Sequence, residues 1–171
     1  MDQLLRSFRF QITLRQSAEA KLGSGPRSVP STAESGDSLG DGAFQECSGL
    51  DLEMEVQSIN EGGRNDGVIQ RAGRAKYSPL ILKRGMFFGS EGGVNQDLWF
   101  WLQDAVSGVR PIRRYDGVIE VMSVGEEVAA TWVFERGLPS KVSGPALNAK
   151  SGEVAIEELT IAHQGLKLVM G

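Results

Sequence analysis

With 171 residues, 40% of them hydrophobic and 23% charged, the chain is long enough for one globular domain, residues 1–171, built on a real hydrophobic core. A net charge of −4 argues against a general nucleic-acid binder, which would carry a basic patch, and suits a basic protein partner instead. Cys47 is the only cysteine and His163 the only histidine, which excludes an intramolecular disulfide and leaves too few ligands for a zinc site.

In chain order, Phe8, Phe10, Ile12 and Leu14 alternate with polar residues and predict a first strand. Residues 16–42 then lose all periodicity and are rich in Gly, Ser and Pro, which predicts an extended loop or insertion, longer than an ordinary connection. The strictest pattern in the chain follows. Leu50, Leu52, Met54 and Val56 alternate with Asp51, Glu53, Glu55 and Gln57, so a strand with one face on a core and an acidic face in water is expected. Residues 61–75 read as a polar loop punctuated by glycine, carrying Arg64, Arg71 and Arg74. Tyr77–Lys83 reads as a strand with Pro79 near its start. Asn95 is a suitable N-cap for a helix whose apolar stripe is Leu98, Trp99, Leu102, Ala105 and Val106, with Trp101 at its flank and Gly108 as its stop. Phe100 falls on the opposite face between Asp97 and Asp104, either under a loop or as a docking spot for another protein. Gly117–Ser123, Val128–Phe134 and Glu153–Val169, the last broken near Gly165, are further strand stretches, with turn-rich segments at 138–149. The fold class expected is mainly β, two packed antiparallel sheets with one flanking helix.

Catalytic chemistry finds little footing. Alternate carboxylates on one strand face, Asp51, Glu53 and Glu55, sit roughly 6–7 Å apart, near the spacing of glycosidase acids, but no aromatic residue alternates with them to form a sugar cleft. Glu157 and Glu158 offer a second weak pair. The glycines at 62, 63 and 67 lack the signature of a phosphate-binding loop. Cys47 reads as a small buried residue and His163 as a structural side chain. No catalytic residue, metal site or cofactor is expected. No apolar run approaches the ~20 residues of a membrane span, and Met1–Arg6 has no basic-then-hydrophobic leader, so neither an anchor nor a secretion signal is expected.

A set of ordered landmarks goes further. Phe8-Arg9-Phe10, Phe44 to Leu50, Glu61-Gly62-Gly63, Leu82-Lys83-Arg84-Gly85, Trp101-Leu102, Trp132 with Phe134, Pro139, Gly144-Pro145 with Leu147-Asn148-Ala149, and Ala155-Ile156-Glu157 with His163-Gln164-Gly165-Leu166 occur in sequence. Together they resemble the tail-tube proteins of contractile-tailed phages and the inner-tube proteins of extracellular contractile injection systems, over residues 8–168 apart from 16–42. Ala72 stands where the family commonly has Pro, and Gln164 where it often has Glu.

The resemblance implies hexameric rings whose strands join into one β-barrel around a lumen. The rings stack into a tube inside a sheath whose contraction drives it through a target envelope. It implies as partners further copies of the chain, the sheath protein, baseplate and tube-terminating proteins and luminal cargo. It implies assembly in the bacterial cytoplasm as part of a phage tail or a particle released from the cell. A single initiator or adaptor ring at the baseplate, and a monomeric ligand-binding β-barrel, are the alternatives. On this reading Glu61, Gly62, Gly63, Arg64, Asn65, Arg71 and Arg74 stack rings, and Asp97, Phe100 and Asp104 face the sheath. Leu50, Leu52, Met54 and Val56 pack on the protomer's second layer, while Asp51, Glu53 and Glu55 line the lumen as an acidic wall that repels acidic cargo.

Overall fold

Each alternating strand has one face to hide, and the chain hides most of them by bending a single hydrogen-bonded path of strands into two layers. The computed structural model describes residues 9–17, 39, 44–60, 62–63, 67–87, 93–125, 127–150 and 152–169. In order these form β1 (Phe10–Gln16), β2 (Phe44–Ser48), β3 (Leu52–Ile59), β4 (Ile69–Tyr77), β5 (Leu80–Gly85), α1 (Asp97–Ser107), β6 (Tyr115–Met122), β7 (Val128–Ser143), β8 (Ile156–Ala162) and β9 (Gly165–Val169). The seven-stranded path runs β1-β6-β7-β8-β5-β2 with β9 also paired to β7, and β3 and β4 form a separate two-stranded sheet. Every pairing is antiparallel.

β7 makes two layers out of one path. Its first part pairs with β6 and, from Thr131 to Glu135, with β9, while Leu138 to Ser143 pairs with β8. Between them Arg136 takes a left-handed φ of 54°. Asp116 holds that corner, its Oδ1 accepting the Arg136 N–H at 2.7 Å, and the Arg114 guanidinium donates to the Arg136 carbonyl at 3.1 Å. The turn chemistry of 138–149 does not end the strand, because Leu138, Pro139 and Lys141 keep their partners on β8 across a bulge. The stretch expected as Tyr77–Lys83 is two strands parted at Ser78-Pro79, so Pro79 sits between elements where no ladder N–H is needed.

The two layers share one core. Ile12, Leu14, Ile119 and Phe134 meet Leu80, Leu82, Leu159 and Ile161, and α1 closes it with Leu98 and Trp101. Helix burial differs from the wheel: Trp101 is buried and Val106 is exposed. The Trp101 indole N–H reaches the Arg113 carbonyl at 2.8 Å, and its ring packs edge-on against Tyr115, a polar handle and an aromatic contact that Val106 cannot match. Gln96 occupies the N-cap, and Asn95 helps from one position earlier by accepting the Asp97 N–H on its Oδ1 at 3.0 Å. Gly108 ends the helix in the left-handed conformation.

Of residues 17–42 the structure describes Ser17 and Leu39. Leu39 is buried, and its N–H donates to the Leu14 carbonyl at 3.0 Å on the edge of β1. The remainder of the expected insertion lies outside the described residues.

Candidate assembly surfaces

The strand with the strictest alternation is the one that leaves the core. β3 pairs only with β4 among the described residues, and together they project as a hairpin, β3 alone spanning roughly 26 Å. The expectation that Leu52, Met54 and Val56 pack inside the protomer is therefore wrong: they are 65%, 54% and 59% exposed. Leu50 alone of that set packs partly against the core. The alternation does form a strand with an apolar face. Among the described residues nothing covers that face.

The root of the hairpin is built for a fixed exit. Gly49 adopts φ +87°, and a β-carbon there would collide with the Pro79 carbonyl, so the two strands cross closely where they leave the sheet. His163, in the turn between β8 and β9, straps the same place. Its Nε2 lies 3.0 Å from the Ser78 carbonyl oxygen and its Nδ1 3.1 Å from that of Gly165, with the ring between Tyr77 and Phe134.

Register assigns the hairpin's faces. Leu52 stands opposite Tyr77, Met54 opposite Ala75, and Val56 opposite Ala72, forming an apolar face whose root, at Tyr77, is continuous with the core. On the other face Glu53 stands opposite Lys76 and Gln57 opposite Arg71, and Lys76 Nζ lies 2.9 Å from Glu55 Oε1. Between Met54 and Val56 the register shifts, with Arg74 and Gly73 opposing Glu55 alone. Gly73 accommodates this, since a β-carbon there would come within 2.8 Å of the Glu55 carbonyl oxygen.

Seven of the fifteen residues expected as a polar loop at 61–75, residues 69–75, are thus strand. Ile69 onward is β4, so Arg71 and Arg74 lie on an exposed strand, and Gly62 and Gly63 form the described part of the turn. Arginine and glycine among polar residues masked the strand, which has no apolar alternation because Ala72 and Ala75 supply its apolar side. Glu61, Arg64 and Asn65 lie outside the described residues.

A second surface lies on α1. Phe100 is 53% exposed, beside exposed Asp97 and half-buried Asp104. What holds the helix in place is a buried polar cluster. Arg84 on β5 faces Glu157 on β8 directly in register, and its Nε donates to Glu157 Oε1 at 2.5 Å. The Trp99 indole donates to Glu157 Oε2 at 3.0 Å, and Arg84 Nη2 donates to Asn95 Oδ1 at 3.2 Å. Glu157, one of the weak catalytic candidates, is therefore tied up in structure. Its neighbour Glu158 faces Lys83 across the strands, and a hydrogen bond from Lys83 to Glu46 at 2.9 Å holds that ammonium above its usual range. Burial pushes the Cys47 thiol up to about 11, so it remains a neutral side chain. Among the described residues no group of three or more His, Cys, Asp or Glu is placed to hold a metal ion, and no helix is long and apolar enough to cross a membrane.

Comparison with known proteins identifies the architecture. The family model described as T4-like virus tail tube protein gp19 matches residues 6–167. A chain in the six-fold symmetrised baseplate of the anti-feeding prophage is 21% identical with a TM-score of 0.74, covering 99% of this chain and 98% of that one. A chain in the sheath-tube complex of the extracellular contractile injection system PVC, in its extended state, is 18% identical with a TM-score of 0.70, covering 98% and 93%. A chain of the corresponding sheath/tube terminator is 17% identical with a TM-score of 0.72 and covers 98% of both. No curated protein matches.

Proposed function

The chain belongs to the T4-like virus tail tube protein family, and from that premise we propose that it is a structural subunit of the rigid inner tube of a contractile injection system or phage tail. One observation carries the reading furthest: among the described residues, a hairpin with two open edges and an uncovered apolar face. A two-stranded hairpin is at best marginally stable in water by itself, and open edges are a liability unless another chain pairs with them. Identical copies arranged head to tail in a closing ring cover the apolar face and pair the edges at every interface. Six copies per ring is the count we adopt, in keeping with the six-fold baseplate that holds a chain of the same fold. Stacked rings leave an open lumen for cargo, and sheath contraction drives the tube through the target envelope.

Within this scheme the charged hairpin face, with Asp51, Glu53 and Glu55, lines the lumen. Rings meet through the hairpin turn at Gly62–Gly63, while Arg71 and Arg74, expected there too, stand on β4 beside the acids of the lumen-lining face. A tube density map with that turn away from the ring-to-ring contact would overturn this placement. Phe100, with Asp97 and Asp104, faces a basic element of the sheath: an exposed aromatic ringed by acids suits such a partner. The likeness to a baseplate chain also keeps a second reading in view, a single adaptor ring at the baseplate end.

One experiment addresses these together. Phe100→Asp, co-expressed with the sheath protein of the same particle, is expected to give bare hollow tubes in electron micrographs where the unmodified chain gives sheathed ones. Sheathed tubes from the variant would refute the assignment of Phe100. Isolated rings from the unmodified chain would select the adaptor reading, and monomers would refute the tube.

A further inference from the structure

We infer that the lumen wall contributed by the β3–β4 hairpin is charge-compensated, so that it neither repels nor retains a passing polymer because of its sign. This rests on the tube reading and goes past it, since Asp51, just before β3, and Glu53 and Glu55 on it, taken alone, predict an acidic channel.

The compensation comes from β4. Glu53 faces Lys76 across the pair, Lys76 also reaches Glu55 at 2.9 Å, and Gln57 faces Arg71. Arg74 adds a third cation at the bulge. Among the described residues of 51–77 the acids are Asp51, Glu53 and Glu55 and the bases Arg71, Arg74 and Lys76, three against three; Glu61, Arg64 and Asp66 in the same stretch bring its sequence to −1 of the whole chain's −4. Most of the excess negative charge therefore belongs to other parts of the protomer.

Stability does not require this matching. An exposed ion pair contributes little to folding stability, and both Lys76 and Glu55 are well exposed, at 58% and 42% of their side-chain area. The matching does control the field. A single-sign lining repeated in every subunit of a long tube would sum to a potential of several kT and concentrate polymers of opposite charge. Weak contacts repeated along the bore would then add by multivalency and hold the polymer back. Opposite charges a few ångströms apart cancel within about one Debye length, roughly 8 Å at physiological salt, so the bore beyond the side-chain tips is close to neutral. Such a wall suits polypeptide cargo of mixed or variable charge.

The local potential is measurable in assembled tubes of the full chain. Gln57→Cys in a Cys47→Ala background places a fluorophore on the polar face, and iodide and caesium ions quench it as anionic and cationic probes at low salt. In otherwise unmodified tubes the ratio of the two quenching constants is expected within about twofold of that of the free dye. Lys76→Gln with Arg71→Gln leaves the acids unopposed and is expected to shift the ratio toward caesium by about fivefold or more, a shift that added salt abolishes. A wall already biased fivefold before substitution, or a ratio that the double variant leaves unmoved, would overturn the inference. If the double variant does not assemble, Glu53→Gln with Glu55→Gln gives the opposite test, an expected shift toward iodide. A maleimide-coated gold particle too wide for the bore separates this from the tube reading. Gold along the outside of Glu53→Cys tubes would show that the face is external and that the lumen assignment fails, whatever the ratio reads.

Discussion

Arg84→Met should cost the chain about 3–5 kcal/mol of folding stability, the largest single-residue loss expected anywhere in it. Arg84 and Glu157 are 2% and 1% exposed and sit opposite each other on β5 and β8. Removing the guanidinium leaves a buried carboxylate whose remaining described donor is the Trp99 indole, and it strips Asn95 of a partner at the start of α1. A domain of this kind has about 5–15 kcal/mol in total, so the variant should lie near the threshold of folding at 37 °C. The double variant Arg84→Met with Glu157→Leu should recover much of the loss, because replacing both members of a buried pair by apolar groups is often neutral. Denaturant unfolding of the three proteins checks this. A loss below about 1 kcal/mol for Arg84→Met would mean that the pair is solvated and not the fastening between sheet and helix.

The second large effect concerns assembly and leaves folding alone. Leu52→Ser, Met54→Ser and Val56→Ser together should abolish rings and tubes while changing the protomer's own stability by little more than about 1 kcal/mol, as for other exposed positions. Each side chain is more than half exposed in the protomer, so the monomer has little burial to lose. A neighbour covering the three gains roughly 1–2 kcal/mol from each, on the order of 3–6 kcal/mol per interface, or at least about a hundredfold in association. Sedimentation velocity and thermal unfolding, run side by side, separate the two quantities. Unaltered tubes would show that the face meets water in the assembly, and an unfolded protein would show that it belongs to the protomer's core after all.

These residues also mark where sequence reasoning stops. The alternation from Leu50 to Gln57 identifies a strand and its apolar face because period-2 patterning is a local property of the backbone. It carries no information on whether the cover is the same chain or another copy, and the exposure of Leu52, Met54 and Val56 overturns the expectation that they pack inside the protomer. β4 escaped notice because its apolar face is made of Ala72, Ala75 and Tyr77, with arginines between, and because its bulge breaks the alternation at Gly73 and Arg74. The mainly β architecture, the helix ending at Gly108 and the tail-tube family were legible, the first two from periodicity and capping and the third from ordered landmarks spread over the whole chain. The corner at Arg136 was not, since it depends on Asp116 of β6 and on Arg114 just before that strand. The Arg84–Glu157 pair is likewise a product of strand register, which joins residues 73 positions apart.

The central claim is that copies of this chain build a hollow tube by covering one another's hairpins. Cryo-electron microscopy of the purified chain tests it most directly. The expected result is stacked six-fold rings with the Leu52, Met54 and Val56 face seated on the neighbouring copy and Glu53 and Lys76 facing the bore. A monodisperse monomer at high concentration, or a tube in which that apolar face remains open to water, would contradict it.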